Sequence, residues 1–185
     1  MEDQEIVALY WARNQQAIAE SQQKYGAFCA TLARNILSIP QDAEECVNDT
    51  WHRAWDTIPP QRPVSLRAYL GKIVRNLSID RWRHNKAQKR GDGMDMMLSE
   101  LEGCLSGGPA PEQEWENREI TIAIQGWLDT LSREERAIFL RRYWYGTPVG
   151  ELAKSWGCSP NGMSQRLFKL RNRLKRYLEE REVWL

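Results

Sequence analysis

Apolar residues return at helical intervals along most of this chain, and no stretch alternates as a strand would. Tyr25, Phe28, Leu32 and Ile36 share one helical face, and Val47, Trp51, Ala54 and Ile58 share another after an acidic start at Asp42. Leu66, Leu70, Ile73 and Leu77 form a third stripe, which Pro59, Pro60 and Pro63 separate from the helix before it. The pattern predicts four helices, over roughly 3 to 22, 24 to 38, 42 to 58 and 64 to 89. The run "RGDGMDMMLSELEGCLSGGPAPEQ", with five glycines and two prolines and no sustained apolar period, then reads as a flexible acidic linker. Beyond it, helices are expected from Pro111 to Leu131 and from Ser132 to about Tyr145, the second opened by Ser132, Glu134 and Glu135. Thr147 with Pro148 reads as the next cap and first-turn proline, Gly157 as a stop, and Ser159 with Pro160 as a new start. Two helices joined by a three-residue turn result, the last with a core stripe of Met163, Leu167, Leu170, Leu174 and Leu178. The fold class is therefore all-α. Two small helical domains are expected, a bundle over 1–90 and a helix-turn-helix domain over 112–185, joined by the linker 91–111.

Charge sharpens this division. The chain has 26 Lys and Arg against 25 Asp and Glu, a near balance that hides strong segregation. Residues 42–56 carry five acids and one base, residues 72–90 seven bases and one acid, residues 92–119 eight acids and one base, and residues 166–176 six bases and no acid. Two basic blocks between acidic ones suggest two polyanion-binding modules. On a helical wheel, the side of the fourth helix opposite its apolar stripe collects Lys72, Arg75, Arg83, Lys86 and Arg90 with Ile79 and Trp82, while Asn76, Asp80 and Arg83 share one line. A solvated face accounts for the cations but not for an exposed isoleucine and indole. Cations interleaved with an aromatic suit nucleic acid, because Lys and Arg neutralise phosphates and flat groups stack on unpaired bases. The last helix turns Asn161, Gln165, Phe168, Lys169, Asn172, Lys175 and Arg176 outward, as a helix entering a major groove would. Basic helix pairs also occur in ordinary bundles, so the pattern alone leaves nucleic-acid binding open.

Other classes find less support. The apolar runs are only a few residues, short of the roughly 20 needed to cross a bilayer, and the acidic N-terminus has no signal core, so a soluble cytoplasmic protein is expected. Cys29, Cys46, Cys104 and Cys158 form no CxxC pair and read as reduced thiols, with an exposed redox role for Cys104 as the alternative. His52 and His84 have no partners at metal spacing, so neither a metal nor a cofactor is expected. No nucleophile and base constellation or phosphate-cradling glycine loop stands out. The expectation is a non-enzyme.

Both halves resemble the sigma-70 family of RNA polymerase sigma factors, specifically its extracytoplasmic-function (group 4) members, which retain regions 2 and 4. "DAEECVNDTWHRAW" resembles region 2.2, which implies docking on the beta-prime clamp helices of core RNA polymerase through Asp42, Glu45, Asp49, Trp51, Arg53 and Trp55. Large aromatics usually fill cores, so packing competes with docking for Trp51 and Trp55. "LRAYLGKIVRNLSIDRWRHNKAQKR" resembles regions 2.3 and 2.4, which implies that Lys72, Arg75, Asn76, Asp80, Arg81, Trp82, Arg83 and Lys86 read and open the -10 promoter element. The segment from Ile58 to Ser65, "IPPQRPVS", corresponds to the loop that captures a flipped -10 base, although it is richer in proline than the family pattern. "LSREERAIFLRRYWYGTPVGELAKSWGCSPNGMSQRLFKLRNRLKRYL" resembles region 4, which implies contact with the beta flap tip and recognition of the -35 element by Asn161, Ser164, Gln165, Arg166, Phe168, Lys169, Lys175 and Arg176. Gly150, Gly162 and Met163 depart from the residues common at their positions without removing the turn.

The resemblance implies core RNA polymerase and promoter DNA, duplex and melted, as partners, with an anti-sigma factor as a further one and no membrane. It implies a specificity subunit that directs promoter recognition, melting and transcription initiation. A stand-alone helix-turn-helix regulator with a sensing or dimerising bundle is the alternative. A nucleic-acid-processing enzyme with a docking bundle is a third reading, for which no catalytic set is visible. Two basic modules on one chain favour the first, since a regulator needs one groove-reading helix per subunit.

Overall fold

A computed structural model describes residues 1–86, 97, 99–101 and 114–181, and the chain divides into two units, 1–92 and 93–185. Four helices build the first: α1 (Asp3–Trp11), α2 (Gln16–Ile36), α3 (Pro40–Thr57) and α4 (Leu66–Lys86). The expected helix over 3 to 22 is broken. Arg13 adopts the left-handed conformation (φ 53°), and the Asn14 side chain accepts from the Gln16 amide at 2.9 Å. Arg13 donates across the unit to the Trp55 carbonyl at 2.7 Å, with its guanidinium 5.4 Å from the centre of the Trp55 ring. α2 then runs unbroken through the expected boundary at 22 to 24.

One carboxylate ties three of these helices together. Asp3, in the first turn of α1, accepts from Lys24 at 2.8 Å and from the Tyr25 hydroxyl, both on α2, and from the Leu66 amide at 3.1 Å, where α4 begins. Burial opposes its ionisation, but these donors outweigh it and hold the Asp3 carboxyl below its ordinary value. Ile6 and Tyr10 of α1, Cys29 and Leu32 of α2, Ala54 of α3 and Leu66, Leu70 and Val74 of α4 fill the core they enclose.

The buried stripe of α4 differs from the expected one. It runs through Leu66, Leu70, Val74, Ser78 and Trp82, while Ile73 and Leu77 are half-buried. Steps of four advance about 40° each around a 3.6-residue helix. The covered face therefore winds, and by the last turn it has carried Trp82 inward. Gly71 lets α2 come close, since a Cβ there would lie 3.2 Å from Phe28 Cζ.

The second unit contains α5 (Glu114–Thr130), α6 (Arg133–Tyr143), α7 (Val149–Ser155) and α8 (Pro160–Glu179). Trp127, Phe139 and Tyr143 meet edge-on and tilted through its core, with ring centres 4.8 and 4.6 Å apart. α6 opens on a reciprocal capping box between Ser132 and Glu135, and Ser159 caps α8 by accepting from the Gly162 amide at 3.1 Å. Gly157 supplies the left-handed turn (φ 60°) that ends α7. Thr147 is not the cap of α7. It is buried, Pro148 occupies the cap position, and four residues, 156–159, join α7 to α8 rather than three.

Within the expected linker 91–111 a few residues are described. Residues 97 and 99–101 are helical, Met97 is buried, and Glu100 bonds to residues of the second unit. The rest of that stretch, Cys104 included, lies outside the described residues, as do Lys89 and Arg90. Among the described residues no helix is long and apolar enough to cross a membrane, and no group of three or more His, Cys, Asp or Glu could hold a metal ion.

Candidate nucleic-acid and polymerase interfaces

Each unit sets a basic helix against an acidic one. In the first unit, Arg81 of α4 reaches back to α3, with Nη1 3.1 Å from Asp42 and Nη2 2.8 Å from Glu45. Asn85 donates to the other oxygen of Asp42 at 2.6 Å. Glu45 first and Asp42 with it favour the charged guanidinium and raise the Arg81 pKa above its ordinary value. Three sequence-assigned site residues thus engage one another, Arg81 tying α4 to Asp42 and Glu45 of α3.

Trp82, expected on the outer face of α4, lies inside the bundle. Only 5% of it is exposed, and it packs among the helices of the first unit. The outer face of α4 retains Lys72, Asn76, Asp80 and Arg83, all exposed, with Asp80 and Arg83 in a loose pair at 3.7 Å. Ile79 is half-buried amid them. Arg75 is also half-buried, and desolvation pulls its pKa below the ordinary value. The Lys86 side chain lies outside the described ones.

α3 sorts its assigned polymerase contacts. Glu45, Asp49 and Arg53 are exposed, Trp55 is half-buried, and Trp51 is 3% exposed and belongs to the core. Beside Trp55 lies an open groove of about 400 Å³, lined also by Gln15, Ile18, Ala19, Gln22 and His52. The 58–65 loop is anchored at its base. Ile58 is fully buried, Tyr69 donates to Thr57 at 2.7 Å, and Trp11 donates to the Gln61 carbonyl at 3.3 Å beneath the Arg62 guanidinium, which sits 4.0 Å over its ring. Val64 is 91% exposed beyond these anchors. Charge and periodicity did not single out Trp11, Arg62 or Val64. The resemblance located the loop, and the prolines around it were the available signal.

In the second unit, the acidic start of α6 lies beside one flank of α8. Arg166 pairs with Glu134 at 2.9 Å, and Arg173 with Glu135 at 2.5 Å. The Ser132 amide first, with its hydroxyl and Arg173, lowers the Glu135 pKa from its ordinary value. Arg166, assigned to the -35 element in sequence, pairs with a carboxylate on the flank of α8. Asn161, Ser164, Gln165, Phe168, Lys169 and Arg176 are exposed, and Lys175 is half-buried. No ion pair among the described residues engages Lys169 or Arg176.

Each of the two helical units presents one helix with a cationic and polar outer face, the arrangement of a two-module polyanion-binding protein. The family models agree with the geometry: Sigma-70 region 2 matches residues 23–88, and Sigma-70, region 4 matches residues 122–174. The RNA polymerase sigma factor CnrH of Cupriavidus metallidurans is 28% identical over 183 residues, covering 96% of this chain and 94% of that protein. The ECF RNA polymerase sigma factor SigL of Mycobacterium tuberculosis is 28% identical over 171 residues, covering 84% and 87%. A solved structure of CnrH in complex with the cytosolic domain of CnrY aligns over 96% of this chain and 97% of that one, with a TM-score of 0.43 and 22% identity. The chain belongs to the sigma-70 family, in its extracytoplasmic-function group, and directs transcription initiation. Its domains imply binding to RNA polymerase and promoter DNA. A stand-alone regulator is not favoured.

Proposed function

We propose that the outer face of α4 reads and opens the -10 element through Lys72, Asn76, Asp80 and Arg83, that the outer face of α8 reads the -35 element through Asn161, Gln165, Phe168 and Lys169, and that Glu45, Asp49, Arg53 and Trp55 face the polymerase clamp helices. One observation carries this division of labour. In both units the flank cations Arg81, Arg166 and Arg173 pair with the neighbouring acidic helix, while Lys72 and Lys169 stand exposed with no ion pair among the described residues. Lys72 and Lys169 supply charge for phosphates, while Asn76 and Gln165 supply paired donors and acceptors for base edges. Contact of the C-terminal unit with the beta flap tip completes the docking. An inhibitory protein, if one controls this factor, has the α3 face to cover.

Alanine at Asn76, Asp80 and Arg83 together tests the -10 assignment. Core-polymerase binding and thermal stability are expected to stay near wild type, because all three side chains are exposed. Open-complex formation, read by permanganate reactivity, should fail and return on pre-melted promoter DNA. Loss of polymerase binding in parallel would place the three residues in the docking face instead.

A further inference from the structure

Glu100 lies between the two family-model matches, in sequence that reads as linker, yet three side chains of the C-terminal unit converge on its carboxylate. Arg142 of α6 donates through Nε at 3.4 Å and Nη2 at 3.1 Å, Arg171 of α8 through Nη1 at 3.4 Å, and the Tyr143 hydroxyl at 3.1 Å. The Arg142, Arg171 and Glu100 side chains are 6, 15 and 21% exposed. Two guanidiniums this deeply placed need an anion, since an uncompensated buried charge is strongly destabilising. Burial above all, with the charged neighbours acting in both directions, pushes the Tyr143 hydroxyl up to about 12, so it stays a donor at neutral pH.

The same groups fix the reading helix. Arg142 Nη1 also donates to the Thr147 carbonyl at 3.3 Å, just before α7, and Arg171 donates to the Tyr143 hydroxyl at 2.8 Å. One carboxylate therefore holds α8 against α6 and sets the entry to the turn. Arg171 also lies 5.8 Å from the centre of the Phe168 ring, which is 57% exposed on the outer face of α8.

We infer that the short helical segment carrying Glu100, residues 99–101, is a working part of the DNA-reading unit, and that Glu100 is a positioning residue for -35 recognition by α8. This rests on the reading of α8 proposed above. Without the carboxylate, Arg142 and Arg171 repel each other, and Arg171 swings outward beside Phe168, where it meets phosphate on any sequence. Discrimination falls while non-specific affinity does not. A residue that merely supports the fold would lower both together.

The test uses the full chain in holoenzyme. A promoter is selected from a pool randomised over the -35 element, and a scrambled version of it keeps the same -10 element. Glu100→Gln should reduce the matched-to-scrambled binding ratio at least about tenfold, the discrimination carried by one good base contact. Affinity for the scrambled DNA should hold or rise, with its salt slope steepened by at most about one unit. Arg171→Gln should lower the ratio too, and the double variant should match the single ones, because the two act through one contact. Additive losses, or a wild-type ratio in Glu100→Gln, overturn the inference. Glu100→Asp keeps the charge one methylene short and is expected to melt like wild type with an intermediate ratio, so an unchanged ratio there overturns it even if Glu100→Gln fails to fold. If wild-type holoenzyme yields no enriched -35 sequence, the reading of α8 fails first and this inference falls with it.

Discussion

The two units use one device at different depths. In the N-terminal unit the tie between basic and acidic helices is partly buried: Asp42 is 16% exposed at its side chain, it accepts from both Arg81 and Asn85, and Trp82 lies buried on the same turn of α4. In the C-terminal unit the corresponding pairs are open to solvent, with Arg166 and Glu134 44 and 52% exposed, and the aromatic of α8, Phe168, points outward. The buried charges there are instead gathered on the far flank around Glu100. Coulomb attraction between exposed partners is screened and weak, whereas partly buried partners cannot be separated without stranding a desolvated charge. Similar residue types in similar order thus hold the first unit together and only trim the second.

The aromatic pair tests the contrast most strongly. Trp82→Ala should destabilise the N-terminal unit by about 3–5 kcal/mol, as loss of a buried large aromatic does, in chemical denaturation followed by tryptophan fluorescence and circular dichroism. Phe168→Ala should stay within about 0.5 kcal/mol of wild type. A small effect at Trp82 would return the indole to the outer face and restore it as a base-stacking group.

Next come the ties. Arg81→Ala should cost about 1–3 kcal/mol, because it takes a charged donor from Asp42 in a half-buried site and leaves it the Asn85 amide. Asp3→Asn should cost a similar amount through the donors of α2 and α4, and it carries a pH signature. The folded Asp3 pKa lies below its ordinary value near 3.8. The stability it contributes is therefore fully present above that ordinary value and is lost as pH falls through the folded one. Melts between pH 2 and 7 should show wild type and Asp3→Asn apart near neutrality and converging in acid. Curves that stay parallel would show that the Asp3 charge does not stabilise the fold.

Local signals were legible in sequence, and relations between helices were not. Ser132 with Glu135, Ser159 with Pro160, and Gly157 announced the ends of α6, α7 and α8, because capping depends on residues within one turn. The stripe of α8 was legible in full. On α4 a single fixed wheel face failed, since neighbours that cross a helix cover a winding face, and that error alone turned Trp82 outward. The break between α1 and α2 carried a signal, Asn14, that the apolar period overrode. Glu100 carried none: a glutamate among glycines and prolines reads as solvated, and only the fold reveals two arginines and a tyrosine waiting for it.

The smallest expected effect separates stability from reading at Arg166. Arg166 and Glu134 are both about half exposed, so Arg166→Ala should change the melt of the C-terminal unit by no more than about 1 kcal/mol and by less as salt is raised. On DNA the flank position leaves Arg166 a phosphate contact at most, one that must be taken from Glu134. Arg166→Ala should therefore weaken matched and scrambled -35 DNA by the same modest factor, while Glu134→Ala, which frees the guanidinium, should strengthen both. Lys169→Ala should also act on both DNAs, with a larger loss, since no ion pair among the described residues competes for it. A loss at Arg166 confined to the matched sequence would show that the guanidinium leaves Glu134 for a base edge, and the flank of α8 would then belong to the reading face.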